Sequence, residues 1–157
     1  MNNEPLLQVK NLKKYFVKNE PFQAPKDIKV IDDISFEIGK GETLGIVGES
    51  GCGKSTMGRT ILKLYEPTDG QIIYKGTDIT TFSKKQMLPF RKSMQMIFQD
   101  PYASLNPRFT IGDIIEEPMI IHNLYTPKER MERVQEMLNI VGLKPDHIRR
   151  YPHEFSG

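Results

Sequence analysis

Nine consecutive residues, Gly48-Glu49-Ser50-Gly51-Cys52-Gly53-Lys54-Ser55-Thr56, have the types and order to hold a chain of phosphates. They fit G-x-x-x-x-G-K-[ST], the phosphate-binding loop pattern. Glycines let the backbone curl until successive N–H groups point inward at phosphate oxygens. Lys54 then reaches the β- and γ-phosphates as a compact cation. The Ser55 hydroxyl can hold Mg²⁺, which keeps most of its other ligands as water and phosphate. A helix beginning here aims its positive end at the same anion.

Chance alone gives this pattern in roughly one such chain in two hundred. The flanking residues agree with it. Thr43-Leu44-Gly45-Ile46-Val47 is a short apolar run, as a buried parallel strand should be. Past the loop, Met57, Ile61, Leu62 and Leu64 give an apolar helix face that Pro67 is expected to end. The loop is therefore expected between a strand and a helix, which is the setting it needs.

A chain of 157 residues fits one domain. If complete, it would bury roughly 68–70% of its unfolded surface. The formal charge is +2, and the basic pairs Lys13-Lys14, Lys84-Lys85 and Arg149-Arg150 are scattered. They read as solvated faces rather than a nucleic-acid stripe. The single cysteine, Cys52, excludes an internal disulfide and fits a reducing compartment. It fills a loop position that accepts any residue, so no chemistry is assigned to it. No apolar leader segment is read at the N-terminus. No run approaches the ~20 apolar residues of a spanning helix, so any membrane must be reached through a partner.

Leu6 to Val17 reads as a strand, with Leu7 and Val9 alternating against Gln8 and Lys10. Lys18 to Asp27 reads as a loop, and Ile34, Phe36 and Ile38 mark a half-buried strand. Two antiparallel-type strands thus precede the phosphate loop. Pro67-Thr68-Asp69-Gly70 reads as a turn, Gln71 to Tyr74 as a short strand and Lys75-Gly76-Thr77-Asp78 as a second turn. Lys84 to Lys92 reads as a helix whose extent Pro89 limits. Met94 to Phe98 is the best candidate to lie beside the phosphate-loop strand. Gln99 to Arg108 is expected as a loop, and Thr110 to Asn123 as a helix interrupted by Pro118. Thr126-Pro127-Lys128-Glu129 is a capping box with Pro at the first helical position. Behind it, Met131, Val134, Met137, Leu138 and Val141 are expected as the buried stripe, the methionines as core filler, and Gly142 as the stop.

Three stretches together carry a resemblance: Gly48 to Thr56; Gln95-Met96-Ile97-Phe98-Gln99-Asp100-Pro101-Tyr102-Ala103-Ser104-Leu105-Asn106-Pro107-Arg108; and Tyr151-Pro152-His153-Glu154-Phe155-Ser156-Gly157. In them the chain resembles the ATP-binding subunits of ABC transporters of the oligopeptide/dipeptide permease type. The second stretch looks like the second of the two paired ATPases. The resemblance implies an α/β fold, a P-loop NTPase of ABC type. It covers 1–157 as the N-terminal portion of one ATP-binding domain. Residues 1–105 would form an antiparallel β part with the P-loop core, and 106–157 the start of a helical subdomain.

The resemblance implies ATP and Mg²⁺ as ligands. Gly48, Glu49, Ser50, Gly51, Cys52, Gly53, Lys54, Ser55 and Thr56 would bind the nucleotide. Phe16 looks like the adenine-stacking aromatic, with Tyr15 as fallback. Gln99 looks like the Q-loop glutamine, which positions water and Mg²⁺ together with Ser55. Ser156 and Gly157 look like the start of the signature loop that caps the nucleotide of a head-to-tail partner. The implied partners are transmembrane permease subunits and a homologous ATP-binding subunit, at the cytoplasmic face of the membrane, with no nucleic acid.

Against that family's pattern the sequence stops inside the signature. The Walker B aspartate, the catalytic glutamate and the switch histidine have no counterpart, and His122, His147 and His153 precede the signature and cannot replace the last. The expectation is a truncated chain whose P-loop strand exposes sheet edge and apolar surface. Two functions follow. One is a peptide importer's ATPase part, whose own turnover is uncertain. The other is a non-catalytic nucleotide-binding or docking module. An ATPase acting on DNA ends shares the signature logic, but Gln99 to Arg108 and the lack of a basic stripe argue against it.

Overall fold

The computed structural model describes residues 4–22 and 24–155. They divide into two compact units, residues 1–96 and 97–157. Ser156 and Gly157 lie outside the described residues.

The first unit is built on an antiparallel sheet of four strands in the order β2-β1-β3-β4. These are β1 (Leu7–Lys18), β2 (Lys26–Ile38), β3 (Asp69–Tyr74) and β4 (Thr77–Asp78). Strand β1 is central, antiparallel to both β2 and β3. The two strands expected before the phosphate loop are present, but β2 starts at Lys26, well ahead of Ile34. Register shifts between Val9 and Tyr15 explain why its alternation is hard to read. Asn11 and Asp33 sit in the left-handed region at φ 49° and 62°. Asn11 Nδ2 donates to Asp33 Oδ1 at 2.8 Å, and Asn11 N to Ser35 Oγ at 2.8 Å. Bulges of this kind bend a strand and reset its side-chain alternation.

Helix α1 (Lys54–Ile61) follows the phosphate loop. Met57 and Ile61 are buried with Val9, Leu12, Ile31, Ile72, Ile79 and Met87 in one core. The helix stops well before Pro67, which corrects the expected end, and Leu64 is exposed. It ends because Lys63 turns left-handed at φ 53° and Leu64 N donates back to Arg59 O at 2.8 Å. One cation covers that end and a second is buried beside it. The Arg91 guanidinium donates to the carbonyls of Leu62 and Lys63. The buried Lys63 ammonium pairs with Glu66 and donates to Thr80 O. Cations at the carbonyl end of a helix complement its dipole.

The expected strand at 43–47 joins no ladder among the described residues, and neither does 94–98. Leu44, Ile46, Val47 and Ile97 are exposed, Val47 at 94%. Apolar character alone therefore did not make these runs strands. The expected helix at 84–92 is α2 (Lys84–Met87) followed by a 3-10 turn, Leu88–Lys92, that accommodates Pro89.

The second unit holds α3 (Pro101–Ser104), α4 (Ile111–Ile121) and α5 (Pro127–Ile140), then two 3-10 turns, Pro145–Arg149 and Pro152–Phe155. Its small core is Met119, Val134 and Leu138, flanked by Ile111, Ile115, Leu124, Leu143 and Ile148. Pro118 lies inside α4 without dividing it. The Thr126 box forms as read: its hydroxyl accepts from Glu129 N, and the Glu129 carboxylate accepts from Thr126 N at 2.7 Å. Gly142 takes φ 74° past the end of α5. The buried stripe is narrower than expected, because Met131, Met137 and Val141 remain exposed. Among the described residues, no helix is long and apolar enough to cross a membrane.

Candidate functional site

The loop from 48 to 56 curls as its glycines allow. Gly51 and Gly53 take φ 81° and 102°, and Met57 N donates to Gly53 O at 2.8 Å as the helix starts. A further bond, Cys52 N to Glu49 O at 3.4 Å, closes the turn. Lys54 folds back over the loop it belongs to. Its Nζ donates to Gly48 O and Glu49 O, both at 2.6 Å, and lies 3.6 Å from Cys52 Sγ. The ammonium thus stands inside the loop, where a phosphate oxygen could take over both of its carbonyl bonds. Ser55, exposed in the first turn of α1, follows directly.

The loop packs on the sheet through Val30. A Cβ on Gly53 would lie 2.8 Å from Val30 O. Val30 sits in β2 at the irregularity where Lys14 pairs with Ile31 and Tyr15 with Lys29. The strand residue that touches the loop thus lies on the stretch of β2 that pairs with Lys14, Tyr15 and Phe16. Sequence reasoning missed Val30, because a valine in a strand bears no mark of what lies against its carbonyl.

The two candidate base-stacking rings differ in their surroundings. Tyr15 donates its hydroxyl to Asp32, and the Lys29 ammonium lies 5.1 Å from its ring centre. Lys29 also pairs with Asp32 at 3.2 Å. Tyr15 and Lys29 hold the Asp32 carboxyl below the usual carboxylate range, while the Asp32 carboxylate pushes the Tyr15 phenol up. Phe16 has no such tether. Its ring is exposed, meets Tyr65 at right angles with 5.6 Å between centres, and has the Lys14 ammonium 4.7 Å from its centre.

Gln99 belongs to the second unit, exposed in the bend before α3. Next to it, Asp100 Oδ1 accepts from Ala103 N at 3.0 Å and opens that turn. Phe155 closes the second 3-10 turn, with its ring 5.3 Å from that of His147. No group of three or more His, Cys, Asp or Glu among the described residues could hold a metal ion.

Comparison with known proteins adds the context. The family model described as ABC transporter matches residues 31–157. The oligopeptide transport ATP-binding protein AppF of Bacillus subtilis is 55% identical over 159 residues, covering 99% of this chain and 48% of its own length. OppF of the same organism, also an oligopeptide transport ATP-binding protein, is 57% identical over 157 residues, covering 98% and 50%. The dipeptide transport ATP-binding protein DppF of Haemophilus influenzae is 48% identical over 156 residues, covering 99% and 48%. The chain spans about half the length of the curated relatives it matches. Among solved structures, a dimeric post-hydrolysis state of the ATP-binding cassette MJ0796 with ADP and Pi superposes with a TM-score of 0.78. It is 25% identical, over 96% of this chain and 63% of that one.

Proposed function

The chain belongs to the ABC transporter family, and on that premise we propose that it is the nucleotide-binding part of a peptide importer's ATPase subunit. In the full subunit, ATP binding and hydrolysis would be coupled to uptake by transmembrane permease subunits. The working place is then the cytoplasmic face of the membrane, with a homologous ATP-binding subunit as head-to-tail partner. The names of the relatives supply the peptide cargo.

The observation that carries the reading is the posture of Lys54, with its ammonium inside a loop of inward-curling backbone. A triphosphate entering there would exchange two neutral carbonyl acceptors for anionic oxygens. Charge-assisted bonds of that kind are roughly twice as strong as neutral ones. The amides of Gly51, Gly53 and Lys54 would hold the β-phosphate, and Phe16 would stack the base, worth about 1–3 kcal/mol. Ser55 would hold Mg²⁺, which when bound neutralises charge on the phosphates being separated. Ser156 and Gly157 would cap the nucleotide held by the partner subunit.

Calorimetric titration of the chain with Mg-ATP tests the proposal. Binding is expected, and Lys54→Ala should weaken it about 10- to 150-fold, the worth of one hydrogen bond to a charged group. A folded chain with no Mg-ATP affinity, or one that Lys54→Ala leaves unchanged, would sink it. Steady ATP hydrolysis that depends on Lys54 separates a motor from a docking module.

A further inference from the structure

We infer that Tyr65 is a positioning residue for base recognition: packed against Phe16, it fixes the ring on which the nucleotide base stacks. The inference rests on the proposed role of Phe16. It goes beyond it by assigning a part in base recognition to a segment outside both the phosphate loop and the aromatic strand.

The turn after α1 is tied at both ends to the elements that matter. On one side, Leu64 N and Tyr65 N donate to Arg59 O at 2.8 and 3.2 Å, so the turn continues directly from the helix whose first residue is Lys54. On the other side it is fastened to β1. Thr68 N donates to Lys13 O at 2.8 Å, and Tyr15 N donates to Thr68 Oγ1 at 2.9 Å. Lys13 adds an ion pair with Asp69 at 3.1 Å. The same turn therefore touches the strand at the residue before Phe16 and the helix that starts in the phosphate loop.

Tyr65 stands between these anchors. Its ring is half-buried, with the Arg59 guanidinium 5.9 Å from its centre, and it meets the Phe16 ring at 89°. Phe16 is exposed, and Tyr65 is its ring neighbour, 5.6 Å away edge-on, beside the long flexible side chain of Lys14 at 4.7 Å. A freely turning ring must be immobilised when a base stacks on it, at a cost that falls on nucleotide binding alone. A phosphate chain held by the loop does not meet that cost. Tyr65 therefore acts on the base and not on the phosphates.

The test compares Mg-ATP with Mg-tripolyphosphate, which lacks base and sugar, on the 157-residue chain by calorimetry. Tyr65→Ala is expected to weaken Mg-ATP about two- to tenfold and to leave tripolyphosphate unchanged, the effect of one unrestrained side chain. Tyr65→Phe, which keeps the ring, should restore the wild-type ratio. Tyr65→Leu keeps apolar bulk without a ring; it should show the same selective loss of Mg-ATP, and it carries the test if the alanine chain fails to fold. Equal losses for both ligands, or no loss for either, would overturn the inference, since a purely structural residue affects both or neither. Phe16→Ala is measured alongside. If it binds Mg-ATP as well as wild type, the role of Phe16 falls and this inference falls with it. If it loses Mg-ATP affinity while Tyr65→Leu does not, only the inference falls.

Discussion

A methyl group on Gly53 would sit 2.8 Å from the Val30 carbonyl oxygen, at a residue whose φ of 102° strains any L side chain. Gly53→Ala is therefore expected to cost about 1–3 kcal/mol of stability and to weaken Mg-ATP binding. Denaturant titration and calorimetry check the two effects, and an unchanged midpoint would mean that Val30 gives way freely. The motif announced that position 53 had to be glycine, but not what it lies against. The same limit hid the burial of Lys63. Its partners are Glu66 and Thr80, and the helix end that it shares is covered by Arg91 from beyond the next two strands. Local composition marks Lys63 as one more surface cation. Only long-range contact shows otherwise.

Among the elements, helix starts were the most legible, because a cap is written within four residues. The box at Thr126 and Glu129 was read directly. Two others of the same geometry passed unread, Ser83 with Gln86 and Thr110 with Asp113. The first opens a single turn, and the second uses Asp where Glu or Gln is usual. These caps make the second unit sensitive to acid. The Thr110 hydroxyl and backbone hold the Asp113 carboxyl below its ordinary value, and the Thr126 backbone and hydroxyl do the same for Glu129. Folded values below unfolded ones mean stability that is complete above about pH 4–5 and is lost as pH falls through the lowered values. Melting followed by helix circular dichroism should be flat from about pH 8 to pH 5 and then drop. Thr126→Ala should cost about 1 kcal/mol at neutral pH and make the acid limb shallower. The face of α5 was less legible than its start. Periodicity gives a stripe, but Val134 and Leu138 alone reach the core beside Met119, and the flanking methionines stay exposed.

At the scale of the molecule, the phosphate loop, the β1–β2 pair and the exposed apolar surface ahead of the loop were readable, but that residues 43–47 would join no ladder among the described residues was not. Hydrophobicity marks a segment as suited to burial without saying which neighbour will bury it. Leu44, Ile46 and Val47 carry the strand pattern, yet they stand exposed outside any ladder among the described residues. Hydrogen exchange should show this directly. The amides of residues 43–47 should exchange early, and those of Val9 and Ile72 in the middle of the sheet last. Protection at 43–47 equal to that of β1 would mean the run is paired in solution. A final consequence lies in how charge is distributed along α1. The Arg91 guanidinium sits on the carbonyls just past its carbonyl end, where positive charge suits the dipole, while Lys54 stands at its amide end, where it does not, and its first turn holds no acidic residue. Positive charge thus gathers at the amide end, and the first turn offers no local counterweight. A polyanion docking at the amide end supplies that counterweight from outside. Ligation and folding of the unit then become two faces of one linked equilibrium.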